Sequence, residues 1–168
     1  LELALRHPER VSRLALACTA PGGAGGSSYP LHELAALPPD EAAKLHFSVQ
    51  DLRHSMAWQA ANPERAAAMI ADAVARRGPV DPSDPLILMG MRRQLEARAA
   101  HDTWDRLGQL AMPVGLFAGR YDGQAPESTQ HAMMSRIKGA TLNFFEGGHG
   151  FLAEVPKAVP AVATFLAG

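Results

Sequence analysis

Met112-Pro113-Val114-Gly115-Leu116-Phe117-Ala118-Gly119-Arg120-Tyr121-Asp122-Gly123 is the stretch on which the fold turns. It opens as a short apolar run bounded by Pro and Gly, the mark of a strand covered on both faces. It ends in a polar loop that carries an acid. The pattern recurs downstream, where Thr141-Leu142-Asn143-Phe144-Phe145 reads as the next strand and Glu146-Gly147-Gly148-His149-Gly150-Phe151 as the loop after it. Residues 126–137 between them read as a helix: Pro126 suits a first turn, and Met133 and Ile137 share a face. Strand, helix, strand in that order predicts a parallel sheet.

Upstream, residues 11–18 are apolar on both sides, with Leu14, Leu16 and Cys18 on one face and Ala15 and Ala17 on the other. This is a third strand; Thr19 to Ser28 follows as a Gly-rich loop, in which Gly22 to Ser28 reads as a flexible hinge. Leu1 to His7 reads as the end of a helix, stopped by Pro8. The chain starts at Leu1 with nothing resembling a cap before it, so we expect a fragment. Residues 31–100 differ in character, being rich in Ala, Arg and Glu at helical spacing. Asp40 can cap one helix there and Asn62-Pro63-Glu64 starts another that ends near Gly78. Pro79 to Pro85 reads as a linker, and Asp84 caps a third helix. Asp102-Thr103-Trp104-Asp105 returns the chain through a capped short helix. Val159, Val162 and Leu166 mark a last amphipathic helix, with Pro160 in its first turn. The expected organisation is a partial α/β core of residues 1–28 and 101–168, with 29–100 inserted as a helical block.

Asp122 and His149 therefore stand at the carboxyl ends of consecutive parallel strands, where open α/β sheets meet their ligands. An imidazole titrates near ~6.5 and can take and return a proton at neutral pH. A carboxylate beside it holds the tautomer and stabilises the imidazolium. Gly147, Gly148 and Gly150 are expected to turn the backbone sharply and leave the ring uncovered.

In these loops the chain resembles the α/β-hydrolase family, in which the acid follows the penultimate strand and the histidine the last. Asp122 matches within Gly-Arg-Tyr-Asp-Gly-Gln-Ala-Pro and His149 within Phe-Glu-Gly-Gly-His-Gly-Phe-Leu. Leu3 to Val11 resembles the helix after the family's nucleophile, and Thr19-Ala20-Pro21-Gly22-Gly23 its approach to the lid. Among members it is most similar to esterases and enol-lactonases. The resemblance implies the C-terminal portion of the fold: about three parallel strands, flanking helices and a helical cap at 29–100. It implies hydrolysis of a small carboxylic ester or lactone, with His149 and Asp122 as two members of a Ser-His-Asp triad. The Gly-x-Ser-x-Gly nucleophile motif does not occur in the chain. The serine is expected upstream of Leu1, and the chain alone is expected to be inactive. Two alternatives stay open: haloalkane or epoxide hydrolysis by an Asp nucleophile on the same fold, and a non-catalytic binding module.

Other signals are weaker. With 16 Lys+Arg against 17 Asp+Glu, no charge excess favours nucleic acid or an anionic membrane, and no apolar run is long enough to span a bilayer. Cys18 is the single cysteine, which fits a reducing, cytoplasmic setting and a small buried hydrophobe. Asp102 is a rival acid better explained as a helix cap. His101-Asp102 lacks partners at metal-site spacing, and no metal or organic cofactor is implied. The expected partner is a small-molecule substrate, with self-association through the sheet edge that residues 11–18 expose.

Overall fold

The computed structural model describes residues 1–76 and 84–168, so most of the expected 79–85 linker, with Gly78 before it, lies outside the described residues. The chain divides into two compact units, one of Leu1–Tyr29, Gln50–Leu52 and His101–Gly168, the other of Pro30–Val49 and Arg53–Ala100.

The first unit holds a parallel sheet in the order β1 (Leu14–Ala17), β2 (Val114–Gly119), β3 (Thr141–Phe145). The register pairs Leu16 with Leu116 and Ala118 with Phe144. Every residue of β2 is buried, as a central strand covered on both faces requires. Among the described residues β1 pairs only with β2, so its outer edge is open.

Each face of the sheet has its own apolar layer. On one side Leu16, Val114 and Leu116 pack with Ala4 of α1 (Glu2–Arg6), Leu107 and Leu110 of a short 3-10 turn, and Met133 and Ile137 at α6 (Glu127–Arg136). On the other, Phe117 and Phe145 pack with Phe151 of α7 (Phe151–Glu154) and with α8 (Ala158–Ala167). The α8 face differs from the expected one. Ala158, Ala161, Val162 and Phe165 pack inward, whereas Val159 and Leu166 are exposed. Phe165 meets Phe117 edge-on at 5.7 Å, and an aromatic anchor outweighs aliphatic spacing in choosing the buried stripe.

Cys18 also departs from expectation. It is the one non-glycine residue with positive φ (51°) among the described residues. The left-handed step breaks the strand's alternation, so Cys18 joins Ala15 and Ala17 rather than Leu14 and Leu16.

The second unit is helical: most of α2 (Pro39–Gln50), then α3 (Met56–Ala61), α4 (Pro63–Arg76) and α5 (Pro85–Ala99). Asp84 caps α5 through Leu86 N at 2.8 Å, and Ser55 caps α3, a helix the sequence pattern did not mark. No described helix is long and apolar enough to cross a membrane.

Phe151 is fully buried and stacks on Phe145 at 5.0 Å, two residues beyond His149. Phe151→Ala should lower stability by about 3–5 kcal/mol, checked by urea unfolding. A loss under about 1 kcal/mol would mean that this ring does not anchor the loop.

Candidate active site

All three strands end on the same side of the sheet, and the chain that follows each contributes to one cluster. After β2, Asp122 closes a tight turn: its Oδ1 accepts from Gln124 N (2.7 Å) and Ala125 N (2.9 Å). Local hydrogen bonding of this kind is what an Asp at a turn does. Here it also fixes the carboxylate plane and leaves Oδ2 for another partner. That partner is His149 Nδ1 at 2.9 Å. The Asp122 side chain is wholly buried and that of His149 is 28% exposed. A carboxylate can only accept, so Nδ1 carries the hydrogen, and in the neutral ring Nε2 then keeps its lone pair. The ring is thus set to take a proton at Nε2, with the buried acid behind it.

The backbone of the histidine loop is held as firmly as its ring. His149 N–H donates to Gln50 O (2.7 Å), and the Cys18 thiol donates to His149 O (2.9 Å). Tyr121 N donates to Gly147 O (3.0 Å), which ties the acid's loop to the histidine's. Leu52 N donates to Tyr121 O (2.8 Å), so the segment Gln50–Leu52 binds both loops. The Arg120–Glu146 pair (2.9 Å) and Tyr121 OH to Glu146 (2.9 Å) add exposed contacts worth little by themselves.

The glycines here act differently from expectation. Neither Gly147, Gly148 nor Gly150 has a positive φ. Their value is room. A Cβ on Gly148 would collide with Gln50 O and lie 2.8 Å from Asp51 Cβ. That would drive off the carbonyl that binds His149 N–H. The Gly22–Ser28 stretch is likewise more packed than a hinge: Gly22 bridges Asp102, and a side chain there would strike the His101 carbonyl.

Sequence reasoning named Asp122 and His149, and the fold brings them together. Asp102 is elsewhere occupied, its Oδ1 capping Trp104 N at 3.0 Å. Cys18 and Gln50 were not among the named site residues. Cys18 does follow a strand, the rule that pointed to the other two. Gln50 contributes only a carbonyl, for which no residue type is a signal.

Burial first, then the charges of Asp122 and Glu154, push the Cys18 thiol up to about 12. At pH 8 its thiolate fraction is then about a thousandfold below that of an ordinary thiol. Iodoacetamide should alkylate Cys18 quickly in urea and barely in the native chain; equal rates would sink this reading. The sign also sets a pH dependence. Above about pH 9 the unfolded thiol releases its proton while the folded one keeps it, so stability falls as pH rises towards 12.

No protein-family model and no curated protein matches the sequence. Solved structures do match. An enol-lactonase from Burkholderia xenovorans LB400 superposes with TM-score 0.68 at 20% identity, covering 99% of this chain and 60% of that one. A meta-cleavage product hydrolase from Pseudomonas fluorescens IP01 gives 0.67 at 19%, covering 98% and 58%. A 2-hydroxy-6-oxo-6-phenylhexa-2,4-dienoate hydrolase from Rhodococcus sp. strain RHA1 gives 0.66 at 20%, covering 100% and 59%. The chain has the fold of the C-terminal part of the α/β-hydrolases. It spans about three-fifths of the length of these enzymes.

Proposed function

We propose that the protein is a hydrolase of carboxylic esters or lactones that works through an acyl-serine intermediate, with the serine N-terminal to Leu1. The observation that carries this reading is the buried Asp122 carboxylate 2.9 Å from His149 Nδ1, which leaves Nε2 to accept a proton. His149 Nε2 removes the proton from the serine hydroxyl as the oxygen attacks the acyl carbon. The imidazolium, stabilised by Asp122, then gives that proton to the departing alkoxide. In the second half His149 deprotonates water, which attacks the acyl carbon, and the imidazolium returns the proton to the serine oxygen as the acid is released. The Pro30–Val49 and Arg53–Ala100 unit is assigned the family's cap role, selecting the substrate. The lactonase among the fold's neighbours supports an ester or lactone substrate. No cofactor is invoked. We place the protein in the cytoplasm, and expect the isolated chain to self-associate through the open edge of β1.

The test is an assay of the gene-encoded protein on short acyl esters and lactones beside haloalkanes and epoxides. Ester or lactone turnover supports the reading. Turnover of halides or epoxides alone would replace it with an Asp-nucleophile mechanism.

A further inference from the structure

The ligand-forming atoms of Cys18, Asp122 and His149 all lie within 4.8 Å of one another, the one such group among the described residues. We propose that Cys18 Sγ, Asp122 Oδ2 and His149 Nδ1 form a three-ligand site for a zinc-class divalent cation, and that filling it takes His149 out of proton transfer. The metal binding stands on this geometry and not on the hydrolase reading; only the consequence for proton transfer rests on it.

The donor set is one sulfur, one nitrogen and one oxygen, which suits zinc better than calcium or magnesium. Zinc bonds of about 2.0–2.3 Å at tetrahedral angles place ligand atoms roughly 3.3–3.6 Å apart. The Nδ1–Oδ2 pair, now at 2.9 Å, needs to open by a few tenths of an ångström. From the 4.8 Å limit the thiol needs to close by as much as about 1.5 Å. The ligand shell is already braced. Asp122 Oδ1 keeps its two backbone donors, and His149 N–H keeps Gln50 O, so two ligands are oriented from behind. The His149 side chain is partly exposed, and a water would complete the fourth position.

The charges balance. The thiol gives up its hydrogen bond to His149 O and releases its proton to solvent as the metal–sulfur bond forms. The imidazole proton moves from Nδ1 to Nε2 as Nδ1 takes the metal. One dication then meets one thiolate and one carboxylate, a neutral assembly that is cheap to bury. With Nε2 now bearing hydrogen, the ring has no lone pair to act as a base. This departs from the sequence expectation of no metal, since the ligands come from three separate strand ends and share no spacing motif.

Cobalt(II) added to the gene-encoded protein is the test, with zinc in competition. One cobalt per chain should bind with a thiolate-to-cobalt charge-transfer band, and zinc should abolish it. Cys18→Ser, which keeps size and a hydrogen-bond donor, should lose the band and weaken zinc at least ~100-fold. His149→Gln should weaken zinc similarly, with folding of both variants confirmed by circular dichroism. Absence of the band in the wild type would overturn the site. So would zinc affinity unchanged in folded Cys18→Ser and His149→Gln.

Discussion

His149→Ala in the gene-encoded protein should lower kcat for ester or lactone hydrolysis by about 10⁴-fold or more, with KM little changed. The imidazole is the only group in the cluster able to take a proton from a hydroxyl at neutral pH. Asp122 is buried behind it with its oxygens committed to Gln124, Ala125 and His149. The Cys18 thiol is held protonated. If His149 is the base, its removal leaves no substitute in the cluster among the described residues, and loss of a triad base is among the largest effects in enzyme catalysis. Asp122→Asn should follow at about 10³- to 10⁴-fold, because an amide facing Nδ1 favours the wrong tautomer. Steady-state kinetics decide both. A His149→Ala enzyme within tenfold of wild type would remove the histidine from the chemistry.

The second large effect is on stability. Gly119 ends β2, and a Cβ there would collide with Gly148 O, sit 2.5 Å from Gly147 O and lie 2.8 Å from Gly148 C. All three are main-chain atoms of the histidine loop, so no rotamer change relieves the clash. Gly119→Ala should cost about 3 kcal/mol or more and displace His149 from Asp122. For a chain of this size that is roughly a 6–12 °C fall in melting temperature. Gly90 supplies the control, since it lies exposed within α5 with nothing within 4 Å of an added Cβ. Gly90→Ala should be neutral or stabilising by up to ~1 kcal/mol. Calorimetry on the two variants gives opposite signs if close main-chain approach is the reason for the glycine at 119. Equal small effects would mean that the loop yields easily.

These two effects separate what was readable in the sequence from what was not. β2 and β3 were legible because apolar runs bounded by Pro, Gly and polar loops have few other uses. Asp122 and His149 were legible because polar residues at the ends of such runs stand out. Caps such as Asp84 were readable because capping is local. The rest depends on contacts made at a distance in sequence. Cys18 takes its position from one left-handed residue, which strand alternation does not foresee. Gly148 makes room for the Gln50 carbonyl, and a main-chain acceptor could belong to any residue. Val159 and Leu166 fit a helical stripe equally well until Phe165 claims the buried face.

The central claim is that His149 serves as the base for a serine. The most direct test is fluorophosphonate labelling of the gene-encoded protein, with the modified residue located by peptide mass spectrometry. The account predicts one labelled serine, N-terminal to Leu1, whose labelling slows by orders of magnitude in His149→Ala. Labelling of no serine, or labelling at the same rate in His149→Ala, would contradict it.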